Sequence, residues 1–221
     1  MNKKIKQYSA LAVAAASILP MACKKDKTDN TTTDDPNITV RTLNLTVADS
    51  DPGLRDSHSD PTLRLNSPGS TETNIDIDNN GVVDFTAVVS YYKPDANNIE
   101  LYSAFVDASS DSSNKVTCYF VLGDLPMARA KTTSQQMDAS APAYYAVYTG
   151  LYEKEDGAVI YNFQNEFKGQ GDKYVGIKFK IGADIHYGWM KINLSADGKS
   201  LVIKDVAYDT RANTAITIGA R

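Results

Sequence analysis

The chain reads as an all-β protein: an antiparallel two-sheet sandwich, with a jelly-roll or barrel-like form as the alternative, carrying long acidic loops. Three features point there. Apolar and polar residues alternate with period two in short runs, tight-turn residues punctuate those runs, and long helical periodicity is scarce. Many strands joined by short turns call for a second sheet or for closure, because a single open sheet leaves adhesive edges.

In order, ITVRTLNLTV (38–47) alternates, with a phase change near Arg41 that implies a bulge. DFTAVVSYY (84–92) is closed by Lys93-Pro94-Asp95. IELYSAFVD (99–107), NKVTCYFVL (114–122) and AYYAVYTGLYE (143–153) follow. Then come GAVIYNFQ (157–164), KYVGIKFKI (173–181), IHYGWMKINLS (185–195), SLVIKDVAYD (200–209) and a short closing ITIG. All are rich in β-branched and aromatic residues that suit a pleated surface. Asp156-Gly157, Gly169-Gln170-Gly171-Asp172, Gly182-Ala183-Asp184 and Asp197-Gly198-Lys199 are tight-turn material between runs. MARAKTTSQQMD (127–138) has weak periodicity and predicts a loop with at most one or two helical turns. In AYYAVYTGLY, alternation sets Tyr145 and Val147 on one face and Tyr144, Ala146 and Tyr148 on the other, so one tyrosine-bearing face lies near solvent. Long polar loops are expected over 48–73 and 107–114.

The N-terminus supplies an address. MNKKIKQYSALAVAAASILPMACKKDK begins with Lys3, Lys4 and Lys6, continues with an apolar stretch too short to span a bilayer, and ends in small residues before Cys23. Residues 1–22 therefore read as an export signal, 23–37 as a solvated tether, and 38–221 as a single β domain. Leu19-Pro20-Met21-Ala22-Cys23 resembles a bacterial lipobox, although Pro20 stands where an aliphatic residue is usual. The resemblance implies a lipoprotein whose Cys23 carries the lipid (palmitate among its acyl chains) and becomes the mature N-terminus. The bland alternative is an ordinary cleaved signal with Cys23 as a bystander. Lys-Lys-Asp-Lys after the cysteine is similar to the export tag of surface lipoproteins of the Bacteroidetes type. That likeness implies anchorage in the outer membrane, with the domain facing the cell exterior.

With Cys23 acylated, Cys118 has no partner in the chain, and its apolar run KVTCYFVL predicts a buried, inert thiol. The formal charge is −4, and removal of Lys3, Lys4 and Lys6 takes it to −7. Such an acidic, tyrosine-rich chain is poorly suited to nucleic acid and suited to cations or sugars.

NIDIDNNGVVDF (74–85) carries the chemistry. Counted from Asp76, carboxylates stand at places 1, 3 and 9 (Asp76, Asp78, Asp84), an amide at place 5 (Asn80) and glycine at place 6 (Gly81). Val82, at place 7, offers only its backbone carbonyl. Calcium takes six to eight oxygens at about 2.3–2.6 Å in flexible geometry, and a glycine allows the sharp turn such a loop needs. Magnesium prefers a rigid octahedron and keeps its waters, and zinc calls for His or Cys, which the motif lacks. A bidentate Glu at place 12 is missing, since position 87 is Ala. The motif therefore resembles the EF-hand-like calcium loops of dockerins and thrombospondin-type repeats, set here between β segments. The alternative is an acidic Asn-Asn-Gly hairpin tip that binds nothing.

A second resemblance runs from the acidic stretch to the C-terminal strands. Asp76 to Phe85, Tyr187-Gly188-Trp189, Lys204-Asp205 with Ala207-Tyr208, and Ile216 with Gly219 are similar to the motifs of uncharacterised secreted and surface β proteins of bacteria. That likeness implies a β fold and a calcium-like loop, and no activity. Trp189 is expected in the core between sheets, with Gly188 making room for the indole. The minority reading makes Trp189 and Tyr187 a sugar-stacking surface.

His58 lies in DSHSD, where Asp56, His58 and Asp60 would share one face of an extended segment; a solvated stretch is the commoner use of such residues. His186 is expected to be a packed or surface residue. The chain has no G-x-S-x-G, H-E-x-x-H or P-loop motif. Paired carboxylates for glycoside hydrolysis stay open, since they meet in space and not in sequence; Asp205 and Asp209 are examples of a kind that any such sheet offers. The sequence thus predicts a lipid-anchored surface protein that binds or scaffolds, with one structural calcium, no catalysis, and a glycan or surface protein as partner. A carbohydrate-binding module of a glycan-uptake system is the leading alternative, and a carboxylate-based glycoside hydrolase the third.

Overall fold

The structure, a computed structural model, describes residues 35–48, 70–92, 99–108, 113–121, 125–155, 158–162 and 166–221. Cys23, the signal and the Asp56-His58-Asp60 segment lie outside the described residues. The described residues fall in one compact unit, Thr32–Arg221.

The elements are β1 (Ile38–Ala48), β2 (Ser70–Ile75), β3 (Phe85–Tyr92), β4 (Ile99–Asp107), β5 (Lys115–Val121), β6 (Leu125–Ala128) and β7 (Gln136–Met137). They continue with β8 (Ala143–Tyr144), β9 (Ala146–Glu155), β10 (Ala158–Asn162), β11 (Lys173–Ile181), β12 (Asp184–Leu194), β13 (Ser200–Asp209) and β14 (Ile216–Thr217). No helix occurs among the described residues. Twelve strands form one sheet in the order β1-β13-β12-β11-β5-β6-β9-β4-β3-β2, with β10 on β9 and β8 on β5. All pairings are antiparallel except β6 with β9.

This sheet is nearly barrel-shaped, so the barrel-like alternative fits. The pivot is β5. Its first residues, Lys115 and Val116, pair with Lys178 and Ile177 of β11, and its remainder, Cys118 to Val121, pairs with β6. Hydrogen bonding therefore runs on through β5 from one set of strands to the other.

Alternation sorts the side chains onto two faces. On β12, Met190, Ile192 and Leu194 enter the main core with Val47, Ile75, Ile77, Phe85, Val106 and Ile203. Tyr187 and Trp189 of the same strand point the other way, into a second cluster with Met137, Ala207, Ile216 and Ile218. That cluster lies between the outer face of the large sheet and the two-stranded β7–β14 sheet. Trp189 is thus buried as expected, but under a small outer cover and not between two large sheets. Tyr174 meets its indole edge-on at 5.2 Å.

Gly188 also has a different reason from the expected one. A Cβ there would come within 2.3 Å of the Ala207 carbonyl oxygen, so its bareness makes room for the β13 backbone and not for the indole.

Three strands were not anticipated. β2 occupies the end of the expected 48–73 loop, and its STETNI sequence is mostly polar. β6 and β7 occupy part of the 127–138 segment, where Met127 and Met137 are buried at opposite ends. The bulge in β1 lies between Thr42 and Leu45, next to the expected place, with Asn44 at φ 50°.

Gly188→Ala should lower stability by about 1–3 kcal/mol, because β12 and β13 must part to admit the methyl group. Denaturant unfolding checks this, and an unchanged midpoint would show that the strands yield without cost.

Candidate metal centre

The centre is built by apolar anchors. Ile75, Ile77 and Phe85 have no exposed surface and fix both arms of the loop in the main core. The Asp84 amide donates to the Ile75 carbonyl at 2.9 Å and closes the base. Between the arms, Asn79 (φ 63°) and Gly81 (φ 88°) take left-handed backbone that turns the chain over a few residues.

The Asp76 carboxylate organises this turn. Its Oδ1 accepts from the amides of Asn79 (2.6 Å) and Asn80 (3.2 Å), and its Oδ2 accepts from Gly81 (2.8 Å). Asp78 Oδ1 accepts from the Asn80 amide at 3.1 Å. Asp84, 3% exposed, accepts the Ile77 amide at 2.7 Å through Oδ2. One oxygen from each of Asp76, Asp78 and Asp84 lies within 4.8 Å of the others, so the cluster could hold a metal ion.

The remaining two expected ligands sit differently. Asn80 Oδ1 accepts from the Val82 amide at 2.7 Å, while Asn80 Nδ2 donates to Asp78 Oδ2 at 2.8 Å, so the amide serves the turn. Val82 is 59% exposed, and its backbone carbonyl is the only oxygen it could offer. The donors brought together are hard carboxylate oxygens, which suit a hard divalent cation and not a thiophilic one.

Burial and the neighbouring Asp78 and Asp76 charges push the Asp84 pKa up to about 6, against the pull of the Ile77 amide. Arg41 is the nearby cation, but its guanidinium bonds to the carbonyl oxygens of Asp76 (2.6 Å) and Ile77 (2.9 Å) and to Asn79 Oδ1 (3.2 Å). Asn114, 4% exposed, donates to the Asp84 carbonyl at 3.1 Å and accepts from the Lys180 amide at 3.0 Å, tying the loop base to β11. Neither residue carried a sequence signal, since both act across tens of positions.

The other sequence candidates fall elsewhere. Trp189 and Tyr187, 0% and 4% exposed, offer solvent no ring face for stacking. Among the described residues, the exposed aromatics are Phe120 (50%) and Tyr145 (45%), linked through Tyr144 at 5.6 Å and 4.3 Å between ring centres. Tyr145 sits in a bend between β8 and β9, so it does not share the buried face of Val147.

Asp209 is held below the usual carboxylate range by its hydrogen bonds from Arg211. Asp205 accepts from Thr42 and faces Arg221 at 3.7 Å. Both carboxylates are therefore engaged in charge pairing or hydrogen bonding. His186 is buried against Phe179 and Tyr208, with Nδ1 2.9 Å from the Asp209 carbonyl oxygen. Cys118 is buried, and burial pushes its thiol pKa up, as an inert thiol requires.

Comparison with protein-family models, with curated proteins and with solved structures returns no match.

Asp84 makes the metal-free chain pH-sensitive. Its folded pKa lies above the ordinary value of 3.8, so the folded state holds the proton more tightly than the unfolded one. The associated stability is complete below pH 4 or so and is lost as pH rises through about 6. The loss amounts to roughly 3 kcal/mol. In chelator, urea midpoints from pH 3.5 to 7 should show this fall in the wild type relative to Asp84→Asn. Parallel curves for the two chains would contradict it.

Proposed function

We propose that the chain is a lipid-anchored protein of the outer membrane that binds or scaffolds at the cell surface, its acidic loop clamped by a structural calcium ion. The observation that carries the calcium reading is the convergence of Asp76, Asp78 and Asp84 within 4.8 Å around a turn at Gly81. Like charges so close repel one another, and no cationic side chain bonds to any of the three among the described residues. A divalent ion removes the repulsion, compensates the burial of the Asp84 carboxylate, and joins both ends of the loop. Asn80 and the Val82 carbonyl would complete the shell after a rotation of the Asn80 amide. The address rests on the lipobox-like run to Cys23 and the charged tag after it.

A carbohydrate-binding role is the second reading. Exposed Phe120 and Tyr145, joined through half-buried Tyr144, favour it, because aromatic faces can stack on sugar rings. Retention on a glycan array that is lost in Tyr145→Ala would favour this reading over a purely scaffolding role.

Calcium at a hundred times its dissociation constant should stabilise the metal-stripped full-length chain by about 2.7 kcal/mol in thermal unfolding. Chelator should reverse the gain, magnesium should give less, and Asp76→Asn with Asp78→Asn should abolish it. An equal melting temperature with calcium and with chelator removes the calcium reading. For the address, Cys23→Ser should shift the expressed chain from the membrane to the soluble fraction and abolish labelling by a palmitate analogue. Labelling that survives the substitution would count against Cys23.

A further inference from the structure

We propose that Arg41 is a clasp joining the two ends of the large sheet through the acidic loop, so that whatever orders the loop also orders β1. Its link to a cation rests on the calcium reading above. β1 and β2 stand at opposite ends of the strand order, and among the described residues no backbone pairing joins them. The loop leaves β2 at Ile75. Arg41 of β1 crosses that gap. Its Nη1 donates to the carbonyl oxygens of Asp76 (2.6 Å) and Ile77 (2.9 Å), and its Nη2 donates to Asn79 Oδ1 (3.2 Å).

A planar fork of donors can bridge three acceptors on one turn, which a lysine's single ammonium does less well. None of the three bonds uses a carboxylate oxygen. Arg41 therefore fixes the backbone of the turn without itself occupying an oxygen of Asp76, Asp78 or Asp84. It also supplies charged donors to the carbonyls of half-buried Asp76 and buried Ile77, whose loss would leave acceptors poorly satisfied. On the β1 side, Arg41 pairs with Val206 just before the bulge at Thr42–Leu45, where the β1–β13 ladder is interrupted and local support matters most. Coupling of this kind is reciprocal: an ion that orders the turn strengthens the clasp, and the clasp strengthens the site.

Amide hydrogen exchange on the full chain tests it, with wild type, Arg41→Met and Arg41→Lys each in chelator and in calcium. In chelator, Arg41→Met should speed exchange about tenfold in both 38–42 and 75–85, on the scale of one charge-assisted hydrogen bond. In calcium, exchange in both segments should slow in the wild type, but only 75–85 should slow in Arg41→Met. Loosening of one segment alone in Arg41→Met overturns the clasp, as does a calcium effect in the wild type confined to 75–85. If calcium slows neither segment in the wild type, the calcium reading fails, while the chelator comparison still decides the clasp. Should Arg41→Met not fold, Arg41→Lys is expected to show the same paired loosening at smaller size, and loosening of one segment alone would overturn the clasp there too.

Discussion

Apolar anchors force like charges together at one point of this molecule. Ile75, Ile77 and Phe85 gain more by entering the main core than the loop would gain by spreading its acids, and each of these side chains is fully buried. Burying one such side chain is worth about 1.5–3 kcal/mol. With those positions fixed, one oxygen from each of Asp76, Asp78 and Asp84 lies within 4.8 Å of the others. The backbone amides of residues 77 and 79–81 offset part of the cost by donating to Asp76, Asp78 and Asp84. Burial first, and the Asp78 and Asp76 charges after it, raise the proton affinity of Asp84. The close approach of three carboxylates that could hold a cation is thus a consequence of the core beneath the loop.

The same alternation gives the large sheet two apolar faces at β12 and β13. The inner face closes on the main core, whereas the outer one needs a cover, which β7, β14 and Ile218 provide over Trp189 and Tyr187. This divides the aromatic residues by role. Trp189 and Tyr174 hold the cover in place, and Phe120, Tyr144 and Tyr145 meet solvent at β5 and the β8–β9 bend. The indole Nε1 of Trp189 is buried without a protein partner, so the cover is held by apolar contact and by the β7–β14 pairing.

Much of this could be read in the sequence, for local reasons. β4, β11 and β13 begin and end where alternation and turn residues place them, because period-two patterns and glycines at positive φ act over neighbouring residues. β2 could not be read, since STETNI carries a single apolar residue and becomes a strand only by pairing with β3. β7 depends likewise on Met137 meeting β14 some eighty positions away. Closure was legible as a need to hide edges, but the route through β5 was not, because it depends on which half of one strand meets which neighbour. At the site, the three acids and the glycine were visible as spacing. Arg41 and Asn114 were not, and the use of Asn80 as a turn-former follows from local geometry that spacing does not encode.

The distribution of burial around the loop argues for the kind of role an ion would have there. Asp84 is enclosed at the base, Asp76 and Asp78 are half-buried, and Asn79 to Val82 are exposed at the tip. An ion that reacts with substrate needs an open coordination position at the mouth of a cleft, with a base or acid beside it. Here the enclosed carboxylate, Asp84, directly precedes the strand that continues into the core, and the exposed positions are turn residues without a titratable side chain. Asn114 and Arg41 then tie the two arms to β11 and β1. An ion held in this way would bind the chain to itself, drawing three sections of the sheet toward one loop, and would leave recognition of other molecules to surfaces elsewhere on the barrel.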